Sequence, residues 1–180
     1  MRVWWGVLAF AMFFLGDWND WKWGRPALRL LFPLGLAVLA GVTAGLIGAA
    51  APCSALWGRI ACFAGAAASL ALLVYTLFFA LPAGDAYMRQ EGLRPVCTTG
   101  VYALCRHPGF WWLLILYLCL RGSLGVPLSA AALYTALNFL LVLFEDVCVF
   151  PARLSGYREY RRNTPFLLPR FGPRNIKRSV

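Results

Sequence analysis

The 180-residue chain is 61% hydrophobic and only 13% charged, where a soluble domain carries roughly 25% charged residues. With a mean hydropathy of +0.68, this excludes an ordinary water-soluble domain. The formal net charge of +10 would suit nucleic acid, but Lys/Arg blocks beside apolar segments more commonly orient membrane spans and meet anionic headgroups, so nucleic acid is set aside as a partner. The six cysteines show no CxxC spacing and there is a single histidine. No metal site is therefore expected, and the cysteines read as reduced apolar fillers.

A bilayer core about 30 Å thick takes roughly 20 residues of helix. The first apolar segment, Val3 to Leu15, is shorter than that and is led by Arg2. It ends in Leu15-Gly16-Asp17-Trp18 without a small-x-small cleavage pattern, so it reads as a short first span rather than a signal peptide. Leu30 to Ala51 and Ile60 to Ala80 meet the spanning length with no charge inside either. After Pro108 an apolar run reaches Leu120, the turn residues Arg121-Gly122-Ser123-Leu124-Gly125 follow, and Val126 to Phe144 forms a second apolar run, together a helical hairpin. The expectation is an all-α polytopic integral membrane protein with about five transmembrane helices, a C-terminal hairpin and a cytoplasmic amphipathic tail. It forms one domain, divided into a three-helix part at 1–82, a connection at 83–107, the hairpin at 108–150 and a basic tail at 151–180.

Eight of the seventeen basic residues follow the last span, against one acid, Glu159. The positive-inside rule puts that tail in the cytoplasm, and with five spans it puts the 17–29 and 82–107 connections inside, with the N-terminus and the 52–59 connection outside. Five of the eight tryptophans lie in the first 23 residues, where they make either an aromatic belt or a ligand cage.

Within this frame Arg106-His107, carrying the only histidine, stands at the lip of the hairpin, and the second arm returns Glu145-Asp146 to the same lip. Ionisable groups at such a place mark a functional site, while a salt bridge that merely locks the hairpin is the structural alternative. Pro108 suits the first helical position, which makes His107 the N-cap and aims backbone N–H groups at the lip, a setting that attracts an anion. Gly100 suits a turn with φ > 0. Leu154, Tyr157, Tyr160 and Arg161 share a face at helical spacing, as an amphipathic helix lying in the headgroups or as a cover over the lip. Residues Leu167 to Val180 read as peripheral.

Thr99-Gly100-Val101-Tyr102, Arg106-His107-Pro108-Gly109-Phe110, Glu145-Asp146, and Tyr157-x-x-Tyr160 ahead of Thr164-Pro165 together resemble the isoprenylcysteine carboxyl methyltransferase family and its bacterial phospholipid-methyltransferase-like relatives. The resemblance covers residues 95 to 170. Phe110, Asp146, Arg153-Leu154 and Gly156 depart from that pattern, in which Tyr, Glu, Phe-Gly and Glu are usual. The resemblance implies an enzyme of the bacterial inner membrane that binds S-adenosyl-L-methionine in a cytoplasm-facing pocket and methylates a lipophilic or lipid-linked acceptor, at a carboxylate, thiol or phospholipid amine. It implies cofactor contacts from Tyr102, His107, Pro108, Gly109, Phe110 and Glu145 or Asp146, with Arg106 and His107 in catalytic positions and membrane lipids as partners. A similar G-x-Y-x-x-x-R-H-P segment occurs in NADPH-dependent sterol and steroid reductases, the second expectation. A non-catalytic membrane subunit is the third.

Overall fold

The structure, a computed structural model, describes residues 2–79 and 93–170. Its long helices are α1 (Trp5–Trp18), α2 (Leu31–Gly45), α3 (Leu56–Val74), α4 (Pro108–Leu124) and α5 (Leu128–Phe144), followed by the short α6 (Phe150–Arg153) and α7 (Tyr157–Asn163). Wide π-type turns extend α1 over Asn19–Trp23, α3 over Tyr75–Phe79 and α5 over Glu145–Val149. Three stretches are long and apolar enough to cross a membrane: Pro26–Gly45, Leu56–Phe78 and Leu128–Arg153, of 20, 23 and 26 residues. The 17-residue α4 and 14-residue α1 fall below a full span.

α1 packs on α2 and α5, and α4 packs on α3 and α5. The core between them is aromatic and small: Phe10 and Phe13 of α1, Tyr117 of α4, and Ala130, Ala131 and Tyr134 of α5 are all buried. The two buried tyrosines have partners for their hydroxyls, Tyr117 with Thr43 Oγ1 at 2.6 Å and Tyr134 donating to the Val3 carbonyl at 2.7 Å, so neither leaves a polar atom stranded in the apolar interior. Outward faces are apolar instead of charged. Trp57, Ile60, Phe63 and Leu70 of α3 and Leu34 of α2 are exposed, the inverse of a soluble helix and the surface a lipid phase requires.

One end of the bundle is knit by main-chain bonds. Gly48 N–H donates to the Leu124 carbonyl, Ala50 N–H to Gly125 and Cys53 N–H to Gly122, while the Arg121 guanidinium donates to the Ala51 carbonyl. These bonds account for one departure from expectation: the second apolar run stops being helical at Gly45, six residues short of Ala51, because the chain turns there to clasp the α4–α5 turn. A second departure lies at the other end, where the helix of the second hairpin arm runs on through the acidic pair to Arg153, past the expected boundary at 150. The third is a two-residue parallel bridge, Arg94–Pro95 with Leu154–Ser155, in an otherwise helical chain. Part of the expected 83–107 connection, and the tail beyond Arg170, lie outside the described residues.

Cysteine and glycine fit together between α3 and α4. A Cβ at Gly65 would stand 2.7 Å from Cys119 Sγ, and one at Gly122 would meet Cys62 Sγ, so each sulfur fills the notch left by a glycine on the facing helix. All six cysteines are free thiols, as the packing reading expects. Small residues of this kind let helices approach closely in a lipid phase, where packing rather than the hydrophobic effect holds them together. Gly65→Val is expected to destabilise the protein by about 1–3 kcal/mol, and Cys119→Ala in the same chain to recover most of that loss; chemical unfolding in detergent of the single and double variants measures the coupling.

Candidate functional site

At the other end of the bundle the charged residues converge on Asp146. This carboxylate is buried and accepts hydrogen bonds from Arg106 Nε at 2.7 Å, Arg106 Nη2 at 3.1 Å, Tyr157 Oη at 2.6 Å and His107 Nε2 at 3.3 Å. Arg161 Nε stands 3.5 Å from its second oxygen. The start of α4, the end of α5 and the short α7 therefore meet at one carboxylate. A buried carboxylate in apolar surroundings is costly unless paired and hydrogen-bonded, and here charged and neutral donors converge on it.

Arg106 closes the other side of the junction. Its Nη1 donates to the carbonyls of Arg161 at 2.9 Å and Thr164 at 2.7 Å, and its guanidinium lies over the Phe166 ring at 5.6 Å. Residues 164–170 cross over α4 as a strap: Arg106 N–H donates to the Pro165 carbonyl, His107 N–H to Phe166, Trp111 Nε1 to Leu167, and Arg170 N–H to Leu104. One expectation is corrected here: Leu167 to Arg170 are not peripheral, because they form part of that strap, which takes the N–H groups of Arg106 and His107 just before α4.

His107 is the N-cap of α4, with Pro108 at the first helical position. Its ring stacks on Phe150 at 5.6 Å and meets Phe166 edge-on at 5.2 Å. Burial pushes the imidazole below its ordinary value, outweighing the opposing pull of Asp146. A neutral ring that donates from Nε2 to Asp146 keeps its lone pair on Nδ1, which lies 3.6 Å from Glu145 Oε2.

Glu145 and Asp146 share His107, at Nδ1 and Nε2, and differ in their other partners. Glu145 also reaches toward α1, where its carboxyl lies within hydrogen-bonding reach of that of Asp17, whose Oδ2 is buried. Beside them Trp18 stacks on Phe144 at an interplanar angle of 10°, with Trp21 edge-on to both. These two tryptophans form an aromatic cluster at the site with Phe144, although Trp18, like Trp4, Trp5 and Trp23, is exposed.

The remaining expected positions fall around this junction. Tyr102 donates to the Thr76 carbonyl at 3.0 Å, and its own carbonyl accepts from Tyr160 Oη at 2.7 Å; burial above all pushes its phenol up to about 12. Gly100 adopts φ +59°, as its turn requires. Pro108 and Phe110 are buried, and Phe110 packs edge-on against Phe139. A Cβ at Gly109 would meet only Leu73 Cδ1, at 3.8 Å, so packing does not demand a glycine there.

Tyr157 and Tyr160 turn the inner face of α7 onto the junction. Both are buried, and the phenol of each is pushed above its ordinary range, first by burial and for Tyr157 next by the bond to Asp146. Leu154 does not join their helix, because it belongs to the bridge with Arg94, and Gly156 at φ +75° turns the chain into α7. A glutamate at 156 would be strained in that conformation, which gives the departure from the motif a physical cause.

Asp17, Phe150 and Phe166 are parts of the site that the sequence reading did not single out. For Asp17 a signal existed, a lone acid at the end of an apolar run. The two phenylalanines carry no mark among the thirteen in the chain. No family model, curated protein or solved structure matches this chain, so the motif resemblance stands on its own residues.

Removing the charge at Asp146 leaves two guanidinium groups without their carboxylate. Asp146→Asn is expected to destabilise the protein by about 3–5 kcal/mol, while Glu145→Gln, which relieves a carboxyl–carboxyl contact, is expected to be neutral or mildly stabilising; thermal unfolding in detergent compares them. His107 adds a pH dependence. The unfolded chain takes up a proton at this histidine near pH 6.5, before the folded protein does, so stability is full above about 6.5 and declines below it. The decline between about pH 7 and pH 5 is expected to be shallower in His107→Gln, as read from unfolding midpoints across that range.

Proposed function

We propose that this protein is an integral membrane methyltransferase that uses S-adenosyl-L-methionine and acts on a lipophilic or lipid-linked acceptor, as the resemblance to the isoprenylcysteine carboxyl methyltransferase group implies. In this reading five helices lie in the bilayer, α1 and α4 as short ones, and the Asp146 junction faces the cytoplasm together with the basic tail. The observation that carries the proposal is the Asp17–Glu145 pair: two carboxyls within hydrogen-bonding reach of each other, with Asp17 Oδ2 buried and no basic side chain bonded to it among the described residues. Such a pair calls for a cation with several N–H donors, and the amino group of the cofactor is one.

When bound, the cofactor supplies an electrophilic methyl group on a sulfonium, and transfer is an in-line displacement in which charge largely disappears. The protein therefore has to align two partners and exclude water. Glu145 and Asp17 hold the cationic end. Arg106 acts as a positioning residue: through Asp146 and the carbonyls of Arg161 and Thr164 it clamps the strap over His107. Phe150 and Phe166 keep water from the imidazole. Nδ1 of His107 is the atom able to receive a proton from a neutral acceptor such as an amine, whereas a carboxylate or thiolate needs no base.

Full-length protein in detergent, titrated separately with S-adenosyl-L-methionine and with NADPH, tests the assignment. We expect the first to bind, with Glu145→Gln and Asp17→Asn each weakening it about tenfold, the worth of one charge-assisted hydrogen bond. Gly109→Ala, which the fold accommodates, is expected to weaken binding without changing the unfolding midpoint. Binding of NADPH alone would move the protein to the reductase reading, and binding of neither would leave a non-catalytic membrane subunit. Mass spectrometry of lipid extract incubated with protein and methyl-labelled cofactor would identify the acceptor.

A further inference from the structure

On the far side of Arg106 from the bundle, α7 and the strap enclose an open cavity of about 450 Å³. Its lining residues include four arginines, Arg106, Arg161, Arg162 and Arg170, together with Asn163 and Leu168, and no acidic residue. Arg106 is committed to Asp146 and to two carbonyls. Arg161 reaches the same carboxylate only at 3.5 Å and is half exposed. Arg162 and Arg170 make no ion pair among the described residues. Four positive groups against the single carboxylate of Asp146 leave an excess of three positive charges around one small cavity.

We propose that this cavity is a binding site for a phosphate group carried by a small ester or a lipid headgroup. Guanidinium groups recognise phosphate through paired N–H donors, and a phosphate has enough acceptor oxygens to satisfy several of them at once. Arg106 and Arg161 are held by Asp146 and form a fixed floor, while Arg162 and Arg170 are free to close on the ligand. Leu168 and the neighbouring prolines give the apolar part of an ester a surface to lie on. The volume falls within the range of small-molecule sites, about 300–1,000 Å³, and is far too small for a nucleic acid duplex. The site does not depend on methyl transfer, because it lies across Asp146 from the acid pair assigned to the cofactor.

The test uses full-length protein in an uncharged maltoside detergent with no methyl donor, followed by ³¹P NMR. Sodium pyrophosphate and phosphatidylglycerol are titrated separately, each against sodium chloride of matched ionic strength. Saturable binding of either probe is expected. Arg162→Gln and Arg170→Gln should each weaken it about tenfold, while Arg158→Gln, which removes the same charge outside the cavity, should leave it unchanged. Response to phosphatidylglycerol alone assigns the phosphate to a headgroup, response to pyrophosphate alone assigns it to a soluble ester, and displacement of one by the other shows a shared phosphate site. Equal weakening by all three variants, or no response beyond that to sodium chloride, overturns the proposal.

Discussion

Burying a carboxylate at the end of an apolar helix costs several kcal/mol unless donors replace its water, and at Asp146 the replacement comes from three separate parts of the chain. Arg106 and His107 precede α4, Asp146 ends α5, and Tyr157 and Arg161 belong to α7. No two of these segments can move apart without stranding a charge. The hairpin closes because of this junction, and α7 folds back for the same reason. Once α7 is in place Arg106 can also reach the carbonyls of Arg161 and Thr164, which sets the strap across the start of α4. A single carboxylate thus determines the position of a histidine, two tyrosines and the strap that encloses them.

The separation of duties between Asp146 and its neighbour follows from helical geometry. Successive residues on a helix point in different directions, so the two acids meet His107 at different ring nitrogens, Asp146 at Nε2 and Glu145 at Nδ1, and differ in their other partners. Asp146 faces α4 and α7 and is saturated. Glu145 reaches toward α1, where it meets Asp17, and its Oε2 also lies 3.6 Å from His107 Nδ1. The wide turn at Glu145–Val149 makes this placement possible, and such turns within helices occur frequently at functional sites. α1 and α3 carry equivalent turns near the same end, and the second of these supplies the Thr76 carbonyl that holds Tyr102.

Much of this was legible in the sequence. The apolar runs located the long helices, Pro108 marked the first residue of α4, and antiparallel arms made the meeting of Arg106-His107 with Glu145-Asp146 a matter of topology. The ends of elements were not legible. Gly45 stops α2 because residues 46–53 bond to the α4–α5 turn, a long-range interaction with no local sign. Helical spacing grouped Leu154 with Tyr157 and Tyr160, but spacing cannot foresee the bridge to Arg94 that removes Leu154 from the helix. The strap was missed for a related reason: its bonds are mostly from main-chain groups and from Trp111, and proline-rich sequence there reads only as the end of helix. Asp17 was overlooked because its meaning comes from Glu145, 128 residues later in the chain.

The junction also divides the site electrically. On the α1 side lies a partly buried carboxyl pair, Asp17 and Glu145, next to Trp18 and Phe144. On the α7 side lies the arginine cavity, open to solvent, which attracts anions. Asp146 and Arg106 stand between them as a matched pair, so neither side neutralises the other. Mobile ions screen exposed charges over about 8 Å at physiological ionic strength, and buried pairs much less. Added salt should therefore act chiefly on the arginine side and leave the acid pair nearly untouched. A protein that had only to lock a hairpin would need the central pair alone; the further arginines around the cavity are what a structural salt bridge leaves unexplained.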